Sequence, residues 1–340
     1  MTGRRLTVIL KALDACNGAC TFCSVGPAGR SRMSTPDLDL FVEEMRVYSA
    51  AAGVTSLNIT FHGGEPTLMG HEWIDHACGR ARALLPGVSF SMQSNLLSVT
   101  PGMIEVIGRH RIDLGSSIDP FCGERRDASG RDAFPAWLAG FRRVSEAGLA
   151  VGAIFVVTRA ALGRARELLA IAESLGQCSG SAFGLQLNPV YPQGRAAGEV
   201  DTLVTPAELG AFLVDAWEAW EDRGRRIRLA PFETLATHFG PDAERKPLVC
   251  SFGGACADSH VGVDFDLRVA GCGRRLDSKA FAGSLRERRL AEILETGEER
   301  IAVRRRAAIL ERGECSGCPW FATCHGGCPD DACLAYGDVG

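Results

Sequence analysis

Cys16-Asn-Gly-Ala-Cys20-Thr-Phe-Cys23 sets three thiols three and then two residues apart, just after an apolar run at Leu6–Leu10. A structural zinc site wants four ligands and tends to come in paired C-x2-C knuckles. Three thiolates instead match three corners of a cubane 4Fe–4S cluster and leave one iron without a protein ligand. Such an iron can chelate a small molecule through an amine and a carboxylate. A second concentration of cysteines lies at positions 250, 256, 272, 315, 318, 324, 328 and 333. Four thiolates in a tetrahedral array suit zinc or iron, so composition alone leaves that metal open. The chain holds 14 cysteines in 340 residues, and Lys11 interrupts the short apolar stretch at its start. With no signal peptide to read, the cysteines point to metal rather than disulfides, and to a cytoplasmic location.

Other residues at strand ends have chemistry of their own. His62-Gly63-Gly64-Glu65-Pro66 closes the apolar run Ser56–Phe61. Its glycines let backbone approach a ligand, and Glu65 can anchor a positive amine. Gln93-Ser94-Asn95 and Ser117-Ile118-Asp119 end two further runs, and Arg126 and Arg131 follow as cations. Tyr191 and Gln193-Gly194-Arg195 end a sixth, with nothing to rank them above a loop. Cys122 follows the fourth run, where a thiol could donate a hydrogen atom to a radical. Cys78 reads as a small buried hydrophobe and Cys178 as structural. Arg225-Arg226-Ile227-Arg228, Arg288-Arg289 and Arg304-Arg305-Arg306 look like grips for an acidic segment. Only Lys11, Lys246 and Lys279 are lysines, however, so a bias toward arginine on solvated faces explains these runs better.

Six strand-then-helix units must position these groups. The strands are expected at Leu6–Leu10, Ser56–Phe61, Val88–Gln93, Ile112–Ile118, Ala150–Val157 and Phe183–Leu187. Helices follow near Pro36–Ala52 (with Thr35 as N-cap), His71–Leu85, from Pro101, Ala133–Ala147, Ala161–Leu175 and Pro206–Arg223. Continuous apolar strands alternating with helices mean a parallel sheet, as a doubly wound sheet or a partial barrel, with function at the carboxyl ends of the strands. The pattern breaks near Pro231, and one helical stretch, Leu285–Leu310, separates the last two cysteine groups. The expected division is 1–230, a linker at 231–247, and 248–340. A net charge of −4 gives no reason to bind nucleic acid or anionic membrane, and no apolar run is long enough for a membrane span.

The C-x3-C-x2-C motif, with Phe22 before its last cysteine, resembles the radical S-adenosylmethionine (SAM) superfamily. Cys315-x2-Cys318-x5-Cys324-x3-Cys328 resembles the SPASM extension of that family. The resemblance covers nearly the whole chain and implies an α/β partial (βα)6 barrel with a small cysteine-rich SPASM domain. It implies one SAM-binding 4Fe–4S cluster on Cys16, Cys20 and Cys23, and contacts to SAM from Gly63, Gly64, Glu65, Asn95, Ser117 and Arg126 or Arg131. It assigns one auxiliary 4Fe–4S cluster to Cys250, Cys256, Cys272 and Cys328, and a second to Cys315, Cys318 and Cys324. Cys333 takes the last place in that second cluster, or its iron stays open, or the ligand lies beyond the chain's end. Two departures stand out: Leu267 where the family has glycine, and Cys333 only five positions after Cys328.

The chemistry so implied is reductive cleavage of SAM to a 5′-deoxyadenosyl radical, fed by an external flavodoxin- or ferredoxin-type donor. That radical would abstract hydrogen from a ribosomally made peptide in oxidation, cross-linking or epimerisation, with auxiliary clusters accepting the electron. The alternative substrate is a small aminocyclitol or sugar-type antibiotic intermediate, favoured because no leader-binding domain fits before the first strand. Sulfatase maturases carry an aspartate base after the third upstream cysteine; Gly273-Arg274 here argues against that activity.

Overall fold

A computed structural model describes residues 4–26, 29–121, 123–180, 183–239, 250–252, 254, 256–313 and 315–337. Seven parallel strands run in chain order: β1 (Arg4–Lys11), β2 (Val54–His62), β3 (Ser89–Gln93), β4 (Asp113–Ile118), β5 (Val151–Val157), β6 (Gly184–Pro189) and β7 (Arg228–Ala230). The crossovers carry α1 (Thr35–Ala51), α2 (His71–Leu84), α3 (Pro101–His110), α4 (Phe134–Glu146), α5 (Ala165–Ser179) and α6 (Pro206–Asp222), and α7 (Phe232–Phe239) follows β7. Neighbours in sequence are neighbours in the sheet, so the winding never reverses as a doubly wound sheet would. This is the partial-barrel alternative. One sheet face packs on the helices, as the alternation of buried residues in β5 shows, and the other faces a half-open interior.

Cysteine-rich chain then joins the same sheet. After α8 (Cys256–Ser259), β8 (His260–Asp264) pairs parallel with β1, Thr7 opposite His260 and Lys11 opposite Asp264. β9 (Arg268–Ala270) and β10 (Gly283–Ser284) extend that edge antiparallel. Between them α9 (Gly273–Asp277) turns toward the interior, where Gly273 lies against Ile9 of β1. The remaining helices are α10 (Leu290–Thr296), α11 (Glu298–Leu310), α12 (Phe321–Cys324) and α13 (Pro329–Tyr336).

Several sequence expectations shift. Ser34, not Thr35, caps α1, its hydroxyl accepting from the Asp37 N–H at 3.2 Å. The stretch 285–310 is two helices parted by the extended Gly297, and it starts at residue 290. A seventh strand, β7, was too short to show a period. Of the expected linker, 232–239 is helical and 240–247 lies outside the described residues. Among the described residues no helix is long and apolar enough to cross a membrane.

The core ties directly to the strand ends. Phe134, Trp137 and Phe141 of α4 stack in sequence, and Trp137 Nε1 donates to Ser116 Oγ at 2.8 Å. Ser116 Oγ in turn donates to the Ser94 carbonyl at 2.8 Å. Gly140, one turn along α4, sits so close to Leu96 that a Cβ would overlap the Leu96 carbonyl oxygen. Alanine ordinarily favours a helix over glycine by about 1 kcal/mol. Here Gly140→Ala is expected to destabilise instead, by roughly 1–3 kcal/mol of overpacking, measured by urea unfolding.

Candidate active site

Residues 14–25 leave β1 and cross the carboxyl end of the sheet, clamped by three other strand-end segments. The His62–Pro66 turn holds the first part: Gly64 N–H donates to the Leu13 carbonyl at 3.3 Å and Glu65 N–H to the Ala15 carbonyl at 2.9 Å. Any Cβ on Gly64 would overlap Ala15 backbone, so this glycine is needed for loop docking. Segment 124–128 holds the middle, with Ala19 N–H donating to Arg126, Thr21 N–H to Glu124 and Ala128 N–H to Asn17. Asp119 starts that segment by accepting from the N–H groups of Glu124 and Arg125 at 2.8 and 3.0 Å. The loop after β6 holds the last part, Arg195 and Ala196 N–H both donating to the Cys23 carbonyl.

Glu65 joins the first clamp to β3. Its buried carboxylate accepts from Thr67 N–H (3.1 Å), Thr67 Oγ1 (2.7 Å), Ser94 Oγ (2.8 Å) and Asn95 N–H (2.6 Å). Three of these donors fall on Oε1 and one on Oε2, so Oε2 keeps acceptor capacity. The carboxylate thus ties the end of β2 to the end of β3, and Oε2 can still accept from a ligand amine.

Cys16, Cys20 and Cys23 lie together, each half-buried. Burial pushes the Cys16 thiol up, with Glu65 and Cys20 adding and the Gly18 N–H opposing. Burial likewise pushes Cys23 to about 11, with Cys20 and Cys16 among the charges it feels. Gly18 N–H donates to Cys16 Sγ at 3.3 Å, support of the kind a metal-bound thiolate uses. Among the described residues no three His, Cys, Asp or Glu side chains converge as a single ion would require. The spacing of three and then two residues suits thiolates that bind separate irons of a cubane.

Two buried polar side chains beside this loop lack partners. Arg125 is only 3% exposed, its Nε finds no acceptor, and it is close enough to favour the Cys16 thiolate. Gln193, 6% exposed, leaves both carboxamide atoms unmet. An unpaired buried guanidinium costs several kcal/mol, roughly, unless an anion meets it. These groups fit a bound anionic, hydrogen-bonding ligand next to the thiols. Arg131, the cation expected from sequence, instead faces solvent and pairs with Asp127 at 3.0 Å. Arg126 is exposed as well. The inward choice was hidden in Arg125-Arg126, where two adjacent arginines alternate in and out.

Asn95 reaches the loop, donating to Asn17 Oδ1 at 2.6 Å and lying 3.9 Å from Cys16 Sγ. Ser117 accepts from Gln93 Nε2 at 3.2 Å inside the barrel. Cys122 lies outside the described residues. A polar group unseen in the sequence joins Lys11 of β1 to Asp277 of α9, Nζ to Oδ1 at 2.8 Å, with Ser24 Oγ 3.4 Å from the other oxygen. Gly63 N–H donates to His62 Nδ1 at 2.8 Å, so a neutral ring carries its hydrogen on Nε2. Burial holds the His62 pKa below its ordinary value; Asp277 opposes and Lys11 reinforces this.

The interior opens as a cavity of about 310 Å³. Gln93, Gly115, Gly152, Gly184 and Arg228 form one row across β3 to β7, and Ile154, Gln186 and Ala230 line the next. A Cβ on Gly152 or Gly184 would meet nothing closer than 3.4 Å. Neither glycine is required by packing, so their effect is open space above the sheet.

Four C-terminal cysteines also gather. Cys250 feels the charge of Cys328, Cys256 those of Cys250 and Cys328, and Cys272 that of Cys328; burial raises all four thiols, Cys272 to about 12. A cavity of about 20 Å³ lies between Cys250, Cys256, His325 and Gly327. Cys315, Cys318 and Cys324 follow in tight turns, with Gly326 N–H donating to Cys324 Sγ at 3.3 Å. Cys333 lies on α13, close to the Arg275 guanidinium.

Residues 11–164 match the family model of the Radical SAM superfamily. The chain is 24% identical over 341 aligned positions to a cysteine-type anaerobic sulfatase-maturating enzyme of Clostridium perfringens (strain ATCC 13124), covering 95% of this chain and 88% of that one. The structure of anSMEcpe with bound AdoMet and Cp18Cys peptide superposes with a TM-score of 0.76 at 19% identity, over 96% of this chain and 89% of that chain. SuiB of Streptococcus suis bound to S-adenosylmethionine gives 0.69 at 14% identity, over 99% and 76%. The sheet with its thiol loop is that of an iron–sulfur enzyme built on a partial barrel. Over residues 11–164 the chain is a radical SAM enzyme, using SAM and a 4Fe–4S cluster, and its cysteine-rich remainder is similar to that of the sulfatase-maturating relative.

Glu65→Ala would orphan buried donors on Thr67, Ser94 and Asn95, at a cost of at least about 3 kcal/mol. The expected result is a lower unfolding midpoint together with loss of iron from the N-terminal thiols; Glu65→Gln, which keeps one acceptor, falls between. Burial holds the Cys23 thiol up at about 11, which leaves it little thiolate near pH 8. In the apoprotein, iodoacetamide should therefore label the exposed Cys178 and Cys318 well before Cys23, as read by peptide mass spectrometry.

Proposed function

We propose that this enzyme abstracts a hydrogen atom from a ribosomally made peptide held at the barrel opening, in an oxidation, cross-link or epimerisation of natural-product maturation. The observation that carries the reading is the clamped Cys16–Cys23 loop with the unpartnered Arg125 and Gln193 beside it. Cys16, Cys20 and Cys23 would hold the 4Fe–4S cluster, and SAM would bind beside it. With both bound, the pair supplies a 5′-deoxyadenosyl radical on one-electron reduction by an external flavodoxin- or ferredoxin-type donor in the cytoplasm. Arg125 meets the negative charge of the ligand, Asn95 and Ser117 add hydrogen bonds near it, and Gly63 and Gly64 fix the loop. Cys250, Cys256, Cys272 and Cys328 would hold an auxiliary cluster, and Cys315, Cys318 and Cys324, with or without Cys333, a second. Support for a peptide comes from relatives of the same fold, one solved with a Cp18Cys peptide and SuiB with its precursor peptide.

The interior cavity favours a second reading. Its volume of about 310 Å³ falls at the small end of the range for small-molecule sites, roughly 300–1,000 Å³. Carboxamides of Gln93 and Gln186 over a glycine floor suit a hydroxyl-rich aminocyclitol or sugar. A short peptide gene beside this gene supports the first reading, and sugar or aminocyclitol genes support the second.

Anaerobically reconstituted protein given SAM and dithionite should release 5′-deoxyadenosine, falling to background in Cys16→Ala, Cys20→Ala or Cys23→Ala. Iron analysis should give about eight atoms per chain for two cubanes, or about twelve for three. Arg125→Gln should raise the SAM dissociation constant roughly 10- to 100-fold, the worth of a charge-assisted hydrogen bond. Arg131→Gln should leave it nearly unchanged, measured by equilibrium dialysis. The reverse pattern would return the carboxylate contact to Arg131.

A further inference from the structure

We propose that Arg274 sets the reduction potential of the C-terminal iron–sulfur site, because its guanidinium donates to Cys328 Sγ at 3.6 Å while Asp331 and Tyr191 hold it there. The inference rests on the reading that Cys250, Cys256, Cys272 and Cys328 carry a 4Fe–4S cluster.

Arg274 begins two residues after Cys272, on α9, and reaches across to α13. Its Nη2 donates to Asp331 Oδ1 at 2.6 Å, its Nε stands 3.0 Å from Asp330 Oδ2, and its Cζ lies 3.5 Å from the centre of the Tyr191 ring. One planar group thus faces a sulfur, two carboxylates and an aromatic face at once. A lysine, a single point charge, cannot do so. Its neighbour Arg275 turns elsewhere, to Glu299 and Asp330.

The physical effect has a definite sign. A 4Fe–4S cluster that gains one electron takes on one more negative charge, spread in part onto its thiolates, and no proton need move. A hydrogen bond and a positive charge at Cys328 favour that reduced state and raise the potential. Tyr191 gives the contact a direction. It belongs to the loop after β6, and four residues on that loop donates its N–H to the Cys23 carbonyl. Arg274 therefore stands between the two cysteine groups, with one face on the ring of that loop and one edge on a C-terminal thiol.

The experiment uses full-length protein with Cys16→Ala, Cys20→Ala and Cys23→Ala, so that only C-terminal sites load, reconstituted with iron and sulfide. Potentials are read by dithionite titration followed by electron paramagnetic resonance. Arg274→Gln should shift the midpoint to more negative potential at unchanged iron content, and Arg274→Lys should fall between the two. Because Arg274→Gln leaves Asp331 without its cation, Arg274→Gln/Asp331→Asn is measured beside it and should show the same direction of shift. An unchanged midpoint in Arg274→Gln overturns the proposal. So does loss of C-terminal iron in both variants with the fold intact by circular dichroism, since Arg274 would then act only as a structural tie. Absence of C-terminal iron from the parent protein would instead refute the cluster reading beneath it.

Discussion

One buried carboxylate organises the mouth of this barrel. Glu65 sits at the end of β2 and takes two hydrogen bonds from its own turn and two from the end of β3. Its own N–H reaches back to Ala15, so three strand ends and the thiol loop meet around it. Ser94 continues the connection through Ser116 to Trp137 in the core. A charge in such a place is tolerable because hydrogen-bond donors meet it. The consequence is rigidity: the loop that presents Cys16 is held by a hydrogen-bonded network rather than by its own turns.

Around that fixed point the molecule is permissive. The interior face of the sheet is polar and carries glycines where strands usually carry β-branched residues. The large aromatic packing lies on the helical side, where Phe61, Phe90, Trp137, Phe141, Phe155 and Phe212 are buried. Stability and chemistry are thereby kept on opposite faces of one sheet. Side chains on the inner face can vary with the ligand at little cost to the core.

Much of this was legible in the sequence. The thiol spacings named the metal chemistry, and continuous apolar runs placed six of the seven parallel strands, because both signals are local. Partners far apart in the chain were not. Lys11 and Asp277 pair across 266 residues, and nothing near either residue announces the other. Arg125 and Arg126 have the same chemistry in sequence and differ only in which side of an irregular segment they face. Glu65 was recognisable as important, but its tie between β2 and β3 was not, since its partners at Ser94 and Asn95 come together only when the two strands pair. Spacing also could not reveal that β8 would choose β1 as its neighbour.

That last pairing bears on how the chain is made. Thr7 to Lys11 line up with His260 to Asp264, so β1 waits for a strand that is made only after all six crossovers. Until then its outer edge is a row of unpaired amides and carbonyls, open to other chains. Contacts of such sequence separation form slowly. A ribosome-bound nascent chain would thus hold a nearly complete half-barrel with one raw margin, sealed only when the cysteine-rich segment emerges.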